Sequence, residues 1–579
     1  MKHFHGLMYK MSCMILIPVL IGCSGPGTKE TGSDKSFAVM QTPELENILL
    51  QGELGTRYQA ATVNLLTHTE RYSLESFAAS AAGTPGALWW DWPGDQIGRY
   101  LSCLHVAEGY GWSEASDLRK SITDIVLPLQ NPEGNFGPPG SYLSDDVRLI
   151  SGNCFSLRGL MDAFEDTGDP RYLDAAERMA RYFEKKAPLW ETRSNGMLHE
   201  FFGHCIDGLV KFYEQTDKEW AIELAKRLAG HAGRTSHAHH SLCLYRGIID
   251  LVRVTGDTQY MGRVTDYMDW CNEHLSATGG LPEAMPYSYE DEGCGLTDWI
   301  MVNLMMFELT GEIRYVDAAE HTLVNHFFMN QFNTGGFGHL LFNQDIVGGK
   351  GWQGWEAKFG SENPGCCSMW GQWGLGQVGR FLVTEKADTV CINLYASATV
   401  NLPGKSAEVI ISGDFPAMNQ AEIKVATDVP IRFDLALRKP SWAGSMEVFL
   451  NAKRIDCEEK GGYFHIDRRW KKNSMVRVQF ANSYRTILWP VAKPSGVAVF
   501  KGPLCLSLPG DKADVSGTWT LVMDNNGKLK LNDNHQPVAK DTTGNLIVPL
   551  EPVGSRWLDP DTQEPLRRRI LFTKSAQSR

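Results

Sequence analysis

A short motif of the type Thr-Gly-Asp recurs in this chain and constrains its fold more than any other sequence feature does. It appears as Thr167-Gly168-Asp169, Thr216-Asp217, Thr255-Gly256-Asp257 and Thr310-Gly311-Glu312, and each copy separates two amphipathic runs. Glycine commonly ends a helix, and an acidic residue commonly starts the next one. The copies recur every ~40–55 residues, a spacing typical of helical-hairpin repeats. The sequence therefore predicts helical hairpins over residues 42–385.

The hydrophobic pattern changes after about Thr384. Alternation of apolar and polar residues, which is typical of half-buried strands, replaces the helical spacing. The alternation is clearest in residues 389–395, 421–425, 431–437, 446–450 and 476–480. Short strands separated by Gly, Pro and Asn turns predict antiparallel β-sandwiches over residues 386–579.

Helical hairpins can stack as an open solenoid or close into an (α/α) barrel. A closed barrel gathers the loops between hairpins on one concave face, and the segment richest in reactive side chains, residues 278–367, lies in two such loops. We therefore expect a multidomain chain, α then β, in which an N-terminal (α/α) toroid precedes the β-sandwich region. A length of 579 residues also favours several domains, because a single core stops growing at ~250–300 residues.

The N-terminus has the features of a signal peptide. Lys2 and Lys10 accompany an apolar run over residues 13–22, which is too short to cross a bilayer. Leu20-Ile21-Gly22-Cys23 resembles the lipobox of bacterial lipoproteins, which implies that Cys23 is lipidated. We expect residues 1–22 to be a signal peptide and residues 23–41 a flexible tether. The protein would then be an exported bacterial lipoprotein, anchored to a membrane and facing the periplasm or the cell surface.

Charge and cysteine usage narrow the classes of function. A net charge of −12 without any long basic run argues against nucleic acid as a partner. Loss of Cys13 with the signal peptide and acylation of Cys23 would leave 11 of the 13 cysteines. That number is odd, and most of these cysteines are scattered singly, so the sequence does not predict a disulfide framework.

Three cysteines and the glutamates Glu283 and Glu292 are the candidate reactive residues of the segment 278–367. Glu292-Gly293-Cys294 follows Glu283, and Cys366-Cys367 ends the segment. Zinc suits such a mixed sulfur and oxygen set, and Glu292, Cys294, Cys366 and Cys367 would hold it tetrahedrally. Free cysteine is also among the most buried residue types, so the spacing alone is equally consistent with three buried thiols.

Several longer stretches resemble glycoside hydrolase family 127, the β-L-arabinofuranosidase-like enzymes. They are Gly203-His204, Leu244-Tyr245-Arg246-Gly247, Thr278-Gly279-Gly280, residues 310–325, Leu437-Arg438-Lys439-Pro440-Ser441-Trp442 and residues 497–504. The resemblance implies a helical toroid followed by β-sandwiches, in agreement with the pattern of predicted elements. It also implies a carbohydrate substrate.

The resemblance further implies the composition of the active site. The family uses a zinc ion held by a Glu-x-Cys pair and two adjacent cysteines, which here are Glu292, Cys294, Cys366 and Cys367. Cys366 would be the nucleophile as well as a ligand, and Glu283 the general acid/base. Binding to zinc deprotonates a thiol, and the negative charge of the cluster would keep the Glu283 carboxyl protonated.

Other residues are candidates for contacts with the sugar. His204 and His237 lie where the family places sugar-binding imidazoles, whereas His239 and His240 are as consistent with structural roles. Asp95 would orient the substrate or cap a helix. Trp370, near Cys367, is predicted to be an aromatic platform for the sugar, although a packed helix end explains it as well.

Three functions are consistent with these features. The first is a retaining, exo-acting, zinc-dependent β-L-arabinofuranosidase that works on plant-type glycans. The second is a glycosidase of the same fold that removes another unusual or acidic sugar, including an unsaturated uronic acid; basic residues facing the pocket would favour it. The third is a non-catalytic carbohydrate-binding lipoprotein whose zinc is purely structural.

Overall fold

The computed structural model describes residues 36–67, 72–87, 89–192, 204–286, 288–343, 345–351, 362–490, 495–555, 557–559 and 562–574. The predicted signal peptide and Cys23 lie outside these residues. The helices are α1 (Gly52–Thr67), α2 (Leu74–Ala81), α3 (Asp95–Gly109), α4 (Glu114–Val126), α5 (Val147–Thr167), α6 (Pro170–Thr192), α7 (Ile206–Thr216), α8 (Glu219–Gly230), α9 (Ala238–Thr255), α10 (Met261–His274), α11 (Gly293–Thr310), α12 (Ile313–Thr322) and α13 (Cys366–Gly379). Among the described residues, no helix combines the length and the apolar character needed to cross a bilayer.

The helices contact one another in a closed cycle. α3 packs on α5, α5 on α7, α7 on α9, α9 on α11, α11 on α13, and α13 on α3 again. Each of these inner helices also contacts an outer one, namely α4, α6, α8, α10, α12 and α1 in the same order. An inner ring backed by an outer ring is the arrangement that the predicted (α/α) toroid requires.

The recurring Thr-Gly-Asp motif ends helices as the sequence predicts. Gly168, Gly256 and Gly311 follow α5, α9 and α11 with φ values of 64°, 70° and 73°. These left-handed conformations favour glycine. In the shorter copy, Asp217 takes the same conformation after α7, with φ 53°. Asp169 then accepts a hydrogen bond from the backbone N–H of Arg171 and so supports the start of α6.

The C-terminal part consists of β-sheets. The strands are β1 (Ile48–Leu50), β2 (Leu340–Phe342), β3 (Ile346–Lys350), β4 (Val383–Lys386), β5 (Thr389–Ile392), β6 (Ala398–Leu402), β7 (Ala407–Gly413), β8 (Gln420–Thr427), β9 (Ile431–Arg438), β10 (Met446–Leu450), β11 (Lys453–Ile455), β12 (Glu458–Lys460), β13 (Tyr463–Trp470), β14 (Ser474–Phe480), β15 (Tyr484–Trp489), β16 (Gly496–Lys501), β17 (Leu504–Pro509), β18 (Thr520–Leu521), β19 (Val538–Lys540), β20 (Ile547–Pro549), β21 (Glu551–Pro552), β22 (Arg568–Arg569) and β23 (Thr573–Lys574).

The strand orders are β1-β6-β7-β8-β14-β10-β11, β12-β13-β9-β5-β4, β15-β16-β17-β22-β3-β2 and β20-β19-β18-β23, with β21 beside β17. Most neighbours are antiparallel, so the expectation of a helical domain followed by antiparallel sheets is confirmed. The β5–β9 and β18–β23 pairs are parallel instead. Apolar alternation identifies a strand but does not fix the direction of its partner, which is why the sequence missed these pairs.

The helical and sheet regions exchange segments. β1 precedes α1 but pairs with β6, and β3 precedes α13 but pairs with β22. The end of the predicted tether is also bound: Phe37 donates its backbone N–H to the Arg253 carbonyl at 2.7 Å, and Gln41 bridges to Glu385. Residues 36–41 therefore belong to the folded part, a correction to the predicted tether boundary.

A buried ion-pair cluster fastens β9 to α12. Arg438 is fully buried, and its guanidinium donates to Asp317 and, at 2.6 Å, to Glu320. The indole N–H of Trp442 donates to the other carboxylate oxygen of Glu320 at 3.0 Å. These contacts join the helical region to the sheets through groups that have lost their hydration, so each needs its partner.

We expect Arg438→Met to lower the free energy of unfolding by about 3–5 kcal/mol, because it leaves two carboxylates without their cation in the interior. Urea denaturation followed by circular dichroism measures the loss. Arg432→Met is the matched control on the same strand, since Arg432 pairs with Asp467 at an exposed position, and it should leave the midpoint unchanged. Equal midpoints for the two variants would contradict this account of the interface.

Candidate active site

The predicted site residues come together because they lie at the N-terminal ends of the inner helices. Asp95 is the first residue of α3, His237 is the N-cap of α9, Glu292 is the N-cap of α11, and Cys366 is the first residue of α13. His204 lies two residues before α7. A helix N-terminus stabilises negative charge, so this end of the ring favours thiolates and carboxylates.

Glu292, Cys294, Cys366 and Cys367 form one compact, buried group. Their ligand atoms all lie within 4.8 Å of one another. Cys367 Sγ is 3.5 Å from Cys294 Sγ and 3.9 Å from Cys366 Sγ. In a tetrahedral site with zinc–sulfur bonds of about 2.3 Å, two sulfurs are about 3.8 Å apart. The spacing is therefore that of ligands around one ion rather than of a disulfide.

The electrostatics of the group also favour a bound cation. Among the described residues, Glu292 Oε2 is buried without a hydrogen-bond partner. Burial and the neighbouring Cys366 raise the pKa of Glu292 well above its ordinary value. A buried carboxyl with an unpartnered oxygen beside three thiols is unfavourable unless a cation joins it. The donor set of three sulfurs and one oxygen suits zinc.

Cys366 differs from the other two thiols. Hydrogen bonds from the Cys294 and Cys367 thiols hold the pKa of Cys366 well below its ordinary value, and the Arg99 guanidinium adds to the effect. The pKa values of Cys294 and Cys367 are instead raised, with burial as the first cause. Cys366 is also 5% exposed, whereas Cys294 and Cys367 are 0% exposed. Cys366 is thus the sulfur whose pKa is lowered and whose exposure is greatest within the group.

Glu283 is held next to the cluster by backbone pairing. Its N–H donates to the Glu290 carbonyl at 3.0 Å, and its carbonyl accepts from the N–H of Ala238 at 2.8 Å. Its carboxylate lies 3.7 Å from His237 Nε2. Burial raises the pKa of Glu283 to about 7, with His339 acting in the opposite direction. A carboxyl with such a pKa can both donate and accept a proton near neutral pH.

The histidines form a stacked group beside Glu283. The rings of His237 and His240 stack with their centroids 4.0 Å apart, and His204 meets His240 edge-on at 5.0 Å. Burial lowers the pKa of His237 to about 3. His204 is nearly enclosed and hydrogen bonds to the His240 carbonyl, whereas the side chain of His237 is 27% exposed. Of these imidazoles, His237 is therefore the better placed to contact a ligand.

A buried chain of polar groups forms the floor of the site. Asp95 accepts from Arg99 Nε at 2.9 Å, and Arg99 Nη2 lies 3.0 Å from His239 Nε2. His239 Nδ1 is 2.6 Å from Asp298, which also accepts the indole N–H of Trp370 at 2.8 Å. Gly94 rather than Asp95 occupies the N-cap position of α3, so the capping explanation of Asp95 is wrong.

Trp370 is part of this floor and not a platform for a sugar. It is fully buried, and its ring stacks on Trp373 with centroids 4.4 Å apart. Phe155 meets it edge-on at 5.2 Å. No face of the indole is open, so the packed-core alternative is the correct one for this residue.

The sequence missed three residues of the site. Arg99 and Asp298 belong to the floor, and His339 Nε2 lies 3.7 Å from Cys367 Sγ. Each is an isolated polar residue whose neighbours in sequence form no recognisable motif. Only the closure of the ring brings them to the cluster, so no local pattern identifies them.

A cavity lies beyond the floor, toward the C-terminal ends of the inner helices. It has a volume of about 550 Å³ and is lined by residues of all the inner helices, including Arg158, Asp207, Arg246 and Trp373. Its charged side chains pair largely with one another, as Arg158 and Arg246 do with Asp207. Trp370 and Trp373 separate this cavity from the thiols, so it is not part of the candidate active site.

Two family models match this chain. The model described as the catalytic domain of GH127 β-L-arabinofuranosidase matches residues 58–342, and the GH127 middle-domain model matches residues 389–482. The first match contains Glu283, Glu292 and Cys294. No curated protein sequence matches the chain.

Solved structures share the fold over nearly the whole chain. A GH127 β-arabinofuranosidase has a TM-score of 0.70 at 18% identity, covering 93% of this chain and 98% of its own. A GH127 β-L-arabinofuranosidase from Geobacillus stearothermophilus T6 has a TM-score of 0.72 at 16% identity, covering 91% of this chain and 100% of its own. A third structure, a glycoside hydrolase, has a TM-score of 0.69 at 16% identity, covering 94% and 100%. At these identities the likeness shows the shared fold.

Proposed function

Because this chain belongs to glycoside hydrolase family 127, we propose that it is a retaining, exo-acting β-L-arabinofuranosidase that works on plant-type glycans. The observation that carries the proposal is the buried group of Glu292, Cys294, Cys366 and Cys367, placed beside Glu283. A nucleophile and an acid/base on one face of a closed helical ring are what a retaining glycosidase needs.

Cys366 supplies the nucleophile. Its Sγ attacks the anomeric carbon while the bond from that carbon to the leaving oxygen breaks, which gives a glycosyl thioether on the protein. When bound, Zn²⁺ would keep this sulfur deprotonated before attack and favour its departure as a thiolate afterwards. The start of α13 adds a positive field at the same atom.

Glu283 moves the proton in both half-reactions. Its carboxyl donates a proton to the leaving oxygen as the first bond breaks, and its carboxylate then accepts a proton from the water that cleaves the thioether. The pKa of Glu283 near 7 suits both directions of transfer. Backbone pairing on both sides of Glu283 holds it in place between the two steps.

The described residues favour a neutral sugar over an acidic one. His237 Nδ1 has no hydrogen-bond partner among these residues, and the His237 side chain is 27% exposed, so the ring can contact a sugar hydroxyl. Arg99, the cation that acts on Cys366, is buried and paired with Asp95. At 3% exposure, its guanidinium lies below the surface of the site and does not reach the carboxylate of a uronic acid, although its Nη1 has no hydrogen-bond partner among the described residues.

We also propose that the enzyme is exported and lipidated at Cys23, as the lipobox-like Leu20-Ile21-Gly22-Cys23 indicates. Cys23→Ala should shift the protein from the membrane fraction to the soluble exported fraction, because it removes the acylation site. Immunoblots of fractionated cells measure the shift. An unchanged distribution would remove the anchoring proposal without affecting the catalytic one.

The purified enzyme should hydrolyse 4-nitrophenyl β-L-arabinofuranoside, and the first sugar released should keep the β configuration in proton NMR. Cys366→Ser should lower kcat/KM by about 10³-fold or more, because serine lacks a stabilised anion at that position. Cys457→Ser, a change at a half-buried thiol outside the cluster, is the control and should retain activity. An inverted first product, or undiminished turnover by Cys366→Ser, would contradict the mechanism.

Glu283→Gln should lower kcat/KM on the 4-nitrophenyl substrate by about 10²–10⁴-fold, since the amide cannot donate a proton to the departing oxygen. For the glycosylation step, the loss of rate in Glu283→Gln relative to the wild type should be smaller with a 2,4-dinitrophenyl substrate. Its leaving group, 2,4-dinitrophenolate, departs without needing a proton. Glu273→Gln, at an exposed position on α10, is the control. A loss that is equal for both leaving groups in single-turnover experiments would exclude Glu283 as the acid.

A further inference from the structure

The side chain of Asn363 donates a hydrogen bond to the sulfur of the proposed nucleophile. Its Nδ2 lies 3.6 Å from Cys366 Sγ, and Asn363 is 3% exposed. An amide nitrogen carries two hydrogens and acts only as a donor, so the sulfur is the acceptor in this contact. A buried N–H group therefore faces the atom that forms and breaks the covalent bond in the proposed reaction.

The surroundings of Asn363 fix which end of its amide faces the sulfur. Its Oδ1 accepts the backbone N–H of Gly365 at 2.9 Å. Because that N–H can only donate, the oxygen must face Gly365 and the nitrogen must face Cys366. The backbone of Asn363 is held as well: its N–H donates to the Phe337 carbonyl at 2.8 Å, and its carbonyl accepts the N–H of Ser368 at 3.0 Å. The donor is thus oriented before any substrate binds.

This contact differs in kind from the other close contacts of the sulfur. Glu292 Oε1 and Cys367 Sγ each lie 3.9 Å from Cys366 Sγ. Both belong to the group that would hold the metal, and side chains lose their protons when they bind one. A carboxylate or a thiolate cannot donate a hydrogen bond, whereas the Asn363 amide keeps its hydrogens at every pH at which the protein is folded. The Asn363 hydrogen bond therefore persists when the other two contacts become repulsive.

The strength of this hydrogen bond changes during the proposed reaction. A thiolate is a charged and strong acceptor, and a thioether sulfur is a weak one. In the second half-reaction, the oxygen of a water molecule attacks the anomeric carbon, the electron pair of the carbon–sulfur bond goes to Cys366 Sγ, and a proton of the water goes to Glu283. Negative charge therefore collects on the sulfur while the Asn363 N–H is already in place.

We propose that Asn363 is a catalytic residue of the second half-reaction, because its Nδ2–H stabilises Cys366 Sγ as the leaving group when the thioether is cleaved. The role is that of an oxyanion-hole donor, applied to sulfur. The same hydrogen bond stabilises the thiolate before it attacks the sugar, so it does not accelerate the first half-reaction. This inference rests on the proposed function, since it assumes the cysteine nucleophile.

The test separates the two half-reactions. With 2,4-dinitrophenyl β-L-arabinofuranoside in excess, the leaving group makes the first step fast, so the burst of dinitrophenolate reports glycosylation and the later steady rate reports cleavage of the thioether. Intact-mass spectrometry of acid-quenched samples gives the fraction of the protein that carries one pentosyl group. The variants are Asn363→Ala and Asn363→Asp; the second keeps an acceptor for the Gly365 N–H but has no donor for the sulfur.

Both Asn363 variants should slow the steady rate by about tenfold or more, because a hydrogen bond to a charged group is lost as the sulfur departs. The burst rate should not fall by more than about threefold, and the glycosylated fraction should rise above that of the wild type. Asn330→Ala is the control: its buried amide binds the Asp291 carboxylate and the Gly338 N–H instead of the sulfur. It should leave the ratio of the two rates unchanged.

Equal slowing of the burst and the steady rate in Asn363→Ala would overturn this inference, because a purely structural role predicts it. A steady rate that is unchanged in Asn363→Asp would overturn it as well, since that variant lacks the donor. A wild-type protein that does not hydrolyse the substrate, or that inverts it, would instead remove the proposed function and this inference with it. The two kinds of failure are distinguishable because the second appears before any substitution is made.

Discussion

The burial of three thiols and a carboxylate at helix N-termini is the constraint on which the rest of the structure depends. Fully ionised, Glu292, Cys294, Cys366 and Cys367 would carry four negative charges in a buried volume where every ligand atom lies within 4.8 Å of the others. Such a group is stable only with a cation and with favourable backbone dipoles around it. The closed ring of inner helices provides the dipoles, since α11 and α13 both begin at the cluster.

A buried polar network fills the interior of the helical ring below the thiol cluster. Asp298 is the centre of that network, because it receives hydrogen bonds from His239 and Trp370 and lies 3.5 Å from Arg246. The same chain holds Arg99 against the cluster, where its charge favours the thiolate of Cys366. Electrostatic support for the nucleophile and mechanical closure of the barrel therefore come from one buried network, which separates the active face from the polar cavity at the opposite end.

Much of the fold could be predicted because it is encoded locally. Gly168, Gly256 and Gly311 end helices through a backbone conformation that glycine favours, and this signal needs no tertiary information. The compact group of Glu292, Cys294, Cys366 and Cys367 was likewise predicted from the adjacent cysteines, the Glu-x-Cys pair and the family resemblance. Pairing between strands that are far apart in sequence was not predictable in this way. The β1–β6 and β3–β22 pairs and the parallel β5–β9 pair depend on the whole fold.

The misjudged and missed site residues have a common physical reason. The short distance in sequence between Trp370 and Cys367 favours a sugar platform, but the Trp370 side chain points into the ring, where it is fully buried. Arg99, Asp298 and His339 approach the cluster from α3, α11 and the segment before β2, and nothing in their neighbouring residues marks them. The packing of all neighbouring helices decides which face of an inner helix points toward the axis of the ring.

The central claim is that these four side chains share one zinc ion, and X-ray absorption at the zinc edge tests it most directly. The account predicts about one zinc per chain with three sulfurs at about 2.3 Å and one oxygen at about 2.0–2.2 Å. A first shell of nitrogen and oxygen only, or a purified protein that neither contains zinc nor takes it up, would contradict it.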